Sequence, residues 1–230
     1  MKIDGVIEQG NSRETFGDPQ GFGRMEYAYY LMATAAGITM APCELLMDGE
    51  RAHFLTQRFD RIGNHKVHYQ SLCAMDHADF KKPGYYSYEQ LFAVARQLRL
   101  TRAEAVEIYR RMVFNIVARN HDDHSKNTGF ILPGPRAHWQ LAPAFDIAYS
   151  YKPGSPWVNS HQLNLNGKRD NFTRHDLLSA AGLISNFNKE AKRIIDEVIE
   201  VVSQWQTFAR TAGVTPEFTH EINNNLRLSI

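Results

Sequence analysis

The stretch His121-Asp122-Asp123-His124-Ser125-Lys126-Asn127, followed by Leu141-Ala142-Pro143-Ala144-Phe145-Asp146, decides the reading of this chain. Asp146 lies nineteen positions beyond Asn127, at the end of an apolar run. Upstream, Ala105, Val106, Tyr109, Met112, Val113, Ile116 and Val117 recur at helical spacing, so a helix with one apolar face delivers the chain into the polar stretch. Thr101-Arg102-Ala103-Glu104 and Ser87-Tyr88-Glu89-Gln90 both fit the capping box that opens a helix. Downstream, Thr128–Leu132 and His138–Leu141 read as two short strands about a Pro-Gly-Pro turn. Thr173–Asp176 opens another helix, Asn188–Thr211 reads as one long helix, and Thr215-Pro216 starts a last one with proline at its favoured first position.

The front of the chain has a different texture. Met1–Ile7 reads as a strand, and a polar, glycine-containing stretch up to Gly23 reads as a mobile loop. Met25–Ala36 is rich in helix formers and Gly37 stops it. Cys43–Met47 and Ala52–Phe59 form a strand pair around Asp48-Gly49, and Arg61–His65 is a turn before a linking segment. The expected fold class is therefore α+β: a small, truncated strand-containing front lobe over residues 1–65, then a mostly helical lobe over 66–230. The acidic stretch sits at their junction.

Composition narrows the function classes. At 230 residues the chain can bury a substantial core. A formal net charge of +1 with 22% charged residues gives no basic footprint for nucleic acid and no membrane-surface signal. Cys43 and Cys73 lack metal-type spacing and read as free buried thiols. No run approaches the ~20 apolar residues of a membrane helix, no signal peptide opens the chain, and a cytoplasmic location is the expectation.

The residue types suit phosphoryl transfer, which needs alignment and charge neutralisation more than covalent help. Asp122 and Asn127 have the separation of a carboxylate that receives a hydroxyl proton and an amide that holds magnesium. Asp146 adds a charged oxygen ligand, of the hard type magnesium prefers. His124 and Lys126 could face the transferring phosphate or brace the loop. Two other readings stand beside this one: a polar surface loop with local turn bonds, and a transition-metal cluster on His121 and His124 serving a phosphohydrolase.

The run Phe114–Asn127 together with Leu141–Asp146 resembles the catalytic core of HipA-like serine/threonine kinases, the toxins of bacterial toxin–antitoxin pairs. Gln57-Arg58-Phe59-Asp60-Arg61 is similar to the family's segment closing the front lobe. Val67–Cys73 is similar to the stretch that follows it, and His161–Arg169 to a later strand. The resemblance covers nearly the whole chain and implies a protein-kinase-like fold that uses ATP and Mg2+. It implies Asp122 as catalytic base, Asn127 and Asp146 as magnesium ligands, and His124 near the nucleotide phosphates. Gln57 and Phe59 would meet adenine, Lys2 the phosphates, and Glu26 would be the acidic partner of Lys2. Implied partners are a protein substrate of the aminoacyl-tRNA synthetase class and a helix-turn-helix antitoxin.

Such kinases also carry a front subdomain and a phosphate-covering loop ahead of the lysine, which is here the second residue. A separate chain supplying the front portion, a shortened form, and a protein that no longer turns over all fit this departure. Weak nucleotide binding is expected from the missing amide donors. The alternative to an active kinase is accordingly a non-catalytic kinase fold that binds an antitoxin or a separate front subunit.

Overall fold

A computed structural model describes residues 1–5 and 20–230. Between them it describes only the backbone of a short antiparallel pair, β1 (Glu8–Gln9) with β2 (Thr15–Phe16). The expected mobile loop therefore falls mostly outside the described residues, as do Val6 and Ile7 of the expected first strand. What is described of that strand is a two-way backbone exchange: Lys2 N–H donates to Phe54 O at 2.8 Å and Phe54 N–H to Lys2 O at 3.1 Å.

Gly23, expected to end the loop, lies instead inside α1 (Phe22–Ala35). A β-carbon at Gly23 would stand 2.0 Å from the carbonyl oxygen of Ala52, so glycine lets the helix rest directly on the neighbouring strand. No side chain of the flanking residue caps α1. The buried carboxylate of Asp4 does so from a distance, accepting from Gly21 N–H at 2.8 Å and Gly23 N–H at 3.4 Å. Negative charge there also opposes the positive end of the helix dipole.

β3 (Cys43–Asp48) pairs antiparallel with β4 (Arg51–Thr56), with Leu45 opposite Phe54 and Asp48 opposite Arg51. The hairpin turn is thus Gly49-Glu50, one residue later than expected, and Gly49 takes the positive φ of 59°. The turn expected at 61–65 is a small hairpin, β5 (Arg61–Ile62) with β6 (His65–Lys66). β7 (His68–Ser71) corrects the reading of this region as a mere linker. It pairs with β8 (Gly129–Leu132), which in turn pairs with β9 (Gln140–Leu141).

After the single turn of α2 (Leu72–Met75), helices dominate. α3 (Tyr88–Gln97) and α4 (Arg102–Val117) both open with the expected reciprocal capping boxes, and α5 (Arg174–Ala181) has a third built from Thr173 and Asp176. The single helix expected over 188–211 is two, α6 (Asn188–Ser203) and α7 (Trp205–Ala212), broken at Gln204. The break turns Trp205 into the core, where its indole N–H donates to Thr219 O at 3.0 Å. α8 (Pro216–Asn225) starts as expected, with proline in its first turn and Thr215 capping. The segment 161–169 forms isolated bridges, Ser87 with Asn164 and Leu165 with Lys168, rather than the expected strand. Cys43 and Cys73 are free but half-buried, not buried.

One contiguous core joins the front helix to the back of the molecule. Tyr29 of α1 lies 5.3 Å from Trp205 and edge-on to Phe114 of α4 at 6.3 Å, in a core that also includes Met25, Met32, Ile194 and Ile195. Each such buried side chain contributes roughly 1.5–3 kcal/mol, so this packing ties α1 to the helices. The α+β class holds, with small sheets and a mostly helical remainder. No described helix is long and apolar enough to cross a membrane.

Candidate active site

The loop after α4 runs extended, and its side chains alternate. His121, Asp123 and Ser125 are buried, whereas Asp122, His124 and Lys126 face outward to differing degrees. Asp123 is the anchor. Its carboxylate accepts from Tyr88 Oη at 2.6 Å, His161 Nδ1 at 2.8 Å, Gln162 N–H at 2.7 Å and Leu163 N–H at 3.3 Å. A buried carboxylate is tolerable only with such donors. Ser125 adds a bond to Ala78 O at 2.8 Å, and His121 Nδ1 donates to Val158 O at 3.2 Å. Burial drives the His121 imidazole far down, so it is neutral.

With the inward residues fixed, the outward ones are presented on a rigid rail. Asn127 donates through Nδ2 to the carbonyl of Asp122 at 2.9 Å, leaving its Oδ1 available as a neutral oxygen ligand. His124 Nε2 lies 3.6 Å from Asp122 Oδ1. Lys126 does not turn toward them: its ammonium lies 3.5 Å from the centre of the Phe80 ring. His121 points inward and His124 outward, and among the described residues no group of three His, Cys, Asp or Glu could hold a metal ion. A transition-metal cluster on His121 and His124 therefore finds no support.

Asp146 reaches the same place from the other side. Ala144 N–H donates to Thr39 O at 2.8 Å, tying the segment beneath the front of the molecule, and Asp146 follows with φ at 56°. The left-handed backbone is one that Asp tolerates better than most residues, and it aims the side chain back at the loop. Asp146 and Asn127 line one small cavity of about 30 Å³ together with Asp123, Asn120 and Phe145. The ammonium of Lys2 bonds to Asp146 Oδ1 and to Glu26 Oε1, the latter at 2.8 Å. Four parts of the chain widely separated in sequence thus meet: Lys2 from beside β4, Glu26 from α1, Asp146, and the loop carrying Asp122 and Asn127.

The electrostatics follow from this crowding. Burial alone would lower the Lys2 ammonium, but the charges of Asp146 and Glu26 outweigh it and the net direction is upward. Asp122 is pushed up to about 6, first by burial and then by repulsion from Asp146 and Asp123, which His124 and Lys2 only partly offset. An acid displaced in this direction by burial, with like charges beside it, is characteristic of functional sites.

The two residues expected at adenine are placed differently from each other. Phe59 belongs to an aromatic cluster with Tyr69 at 5.6 Å and Phe145 at 5.7 Å, and so abuts the residue preceding Asp146. Gln57 is exposed beyond the end of β4, its N–H donating to Pro42 O at 2.9 Å. Sequence reasoning missed Asp123, Tyr88 and His161 as the loop's fixings and Asp4 as the cap that holds Glu26 in place. Only the adjacency of Asp123 to Asp122 hinted at any of them.

Comparison with known proteins bears on the family and the fold. The HipA-like C-terminal domain family matches residues 7–205. No curated protein sequence matches the chain. HipA of Shewanella oneidensis MR-1, solved with HipB and operator DNA, superposes with a TM-score of 0.58 at 16% identity, covering 97% of this chain and 65% of that one. This chain thus spans 65% of the length of that protein. The Helicobacter pylori proinflammatory kinase CtkA superposes with a TM-score of 0.56 at 13% identity, covering 90% of this chain and 85% of that one. At those identities the likeness is one of fold. The family match extends over most of the sequence, and the chain belongs to the HipA-like C-terminal domain family.

Proposed function

We propose that this chain is a magnesium- and ATP-dependent protein kinase that transfers the γ-phosphate to a serine or threonine hydroxyl. The observation that carries the reading is the ammonium of Lys2 held between Glu26 and Asp146, opposite the Asp122–Asn127 loop. In a phosphotransferase a lysine fixed by an acid neutralises phosphate oxygens, and an acid facing it accepts the hydroxyl proton.

The donors present suit magnesium: the Asp146 carboxylate and the Asn127 amide oxygen are hard ligands, and both line one cavity. The ion would supply charge neutralisation at the phosphates. Glu26 holds Lys2 in reach of them. Asp122, already raised to about 6, is a stronger base than an ordinary aspartate and receives the acceptor's proton. Phe59 and Phe145 offer an aromatic surface to the adenine, with Gln57 at its edge and His124 beside the phosphates. By analogy with the Shewanella protein, a HipB-like antitoxin is the inferred partner and a toxin role the inferred context. A substrate of the aminoacyl-tRNA synthetase class remains part of the proposal from the sequence resemblance.

Isothermal titration of ATP with and without Mg2+ tests the site directly. Magnesium-dependent binding that disappears in Asp146→Asn, together with phosphoryl transfer that disappears in Asp122→Asn, is the expected result. Transfer undiminished in Asp122→Asn removes the assigned base. Nucleotide binding without transfer under any condition favours the alternative, a kinase fold serving as a binding module.

A further inference from the structure

Beyond the Lys2–Asp146 site, an open cavity of about 590 Å³ lies between the start of α1, the segment after Asp146, and the first turns of α8. Its wall is aromatic: Phe22 and Phe218 lie 5.5 Å apart, and Tyr149 meets Phe218 edge-on at 6.3 Å. Two carboxylates of α8, Glu217 and Glu221, stand on its rim one helical turn apart, exposed and without an ion-pair partner among the described residues. The charge of Glu221 reaches Tyr149 and helps burial to raise that phenol to about 12. Lys152 is the rim's one cation among the described lining residues, leaving the rim acidic on balance.

The cavity is continuous in chain with the site. Tyr149 follows Asp146 by three residues, and three residues span at most about 11 Å. An extended peptide covers that distance in three to four residues. Nothing in the phosphotransfer geometry uses Phe218, Glu217 or Glu221.

We propose that this cavity docks the acceptor protein. On this view an aromatic or large aliphatic side chain, within about four residues of the phosphorylated serine or threonine, enters between Phe22, Tyr149 and Phe218. A lysine or arginine beside that anchor meets Glu217 and Glu221. An apolar well supplies binding energy, and the unpaired rim acids supply selectivity against acidic segments. This rests on the kinase reading for the identity of the occupant, but docking is measurable without transfer.

The test is an array of fluorescent peptides centred on serine or threonine, with anchor type, anchor position and flanking charge varied. Binding to the intact chain is read by polarisation. Peptides with a hydrophobic anchor and a basic neighbour should bind best. The double variant Glu217→Lys/Glu221→Lys changes exposed positions and leaves the core untouched. It should weaken basic peptides by about tenfold and favour acidic ones. Phe218→Ala should weaken all anchored peptides alike. An array with no saturable binder, one indifferent to the anchor, or a charge preference unmoved by the double variant would each overturn the proposal. Peptide selectivity that follows these variants in a protein showing no Mg2+-dependent ATP binding would sink the kinase reading instead and leave the docking site standing.

Discussion

Replacing Asp122 by asparagine should stabilise the nucleotide-free protein while removing its phosphoryl transfer. Burial and the charges of Asp146 and Asp123 raise this carboxyl from 3.8 to about 6, so the folded state retains a proton that the unfolded chain has released. Stability from this group is therefore fullest below the unfolded value near 3.8, declines as the pH climbs toward 6, and is level above it. A displacement of that size would correspond to about 3 kcal/mol for a fully enclosed group. The side chain is 40% exposed, and solvent screening reduces the figure to about 1 kcal/mol. The amide introduced by Asp122→Asn carries no charge, so the variant gains that amount at pH 8 and almost nothing at pH 4. Urea denaturation at the two pH values measures it: at ~2 kcal/mol per molar, the midpoint should rise by about 0.5 M at pH 8. Loss of a general base should cost transfer 10²–10⁴-fold, roughly. Equal midpoints at pH 8, or a gain that survives undiminished at pH 4, would show that burial and repulsion do not hold the Asp122 carboxyl above its ordinary range.

Three further substitutions probe how the site is held. Gly23→Ala gains ~1 kcal/mol of helix propensity but forces a β-carbon into the Ala52 carbonyl; the clash should win, with a net loss of about 2 kcal/mol in thermal melts and a weaker nucleotide site as Glu26 shifts. Lys2→Met removes the ammonium that Glu26 and Asp146 share. Because Lys2 is partly exposed, the stability cost should be no more than about 1 kcal/mol, while ATP affinity measured by calorimetry falls far more. Asp123→Asn turns an amide toward donors that need a carboxylate and should cost about 3 kcal/mol in urea unfolding; a cost near zero would show that the four bonds to Asp123 do not fix the loop.

What the sequence discloses and what it conceals divide along the distance between partners. The capping boxes at Ser87 and Thr101 are complete within four residues, and both form as read. The amphipathic stripe of α4 is likewise a local pattern, and it places the acidic loop correctly at the helix end. The features that escaped are those decided by remote contacts. β7 has no strand signature because its partner β8 begins some sixty residues later. The break at Gln204 exists because Trp205 finds Thr219, not because of any helix-breaking residue. Gly23 looks like loop composition until the Ala52 carbonyl is set against it.

Asp122 and Asp123 make the same point at the site itself. They are neighbours of identical chemistry, and no one-dimensional pattern separates them. In the extended loop, adjacent side chains point to opposite sides. One side holds Tyr88 and His161, 35 and 38 residues away from Asp123, and a carboxylate among those donors is spent on structure. The other side offers no such set of donors, and burial together with the charge of Asp146 gives a carboxylate there a raised affinity for protons, which Lys2 only partly offsets. The division of labour between the two acids is thus made by which face carries donors. A shift of the loop by one residue would exchange their roles, which is why the polar network beneath the loop is as necessary to the proposed chemistry as the acid above it.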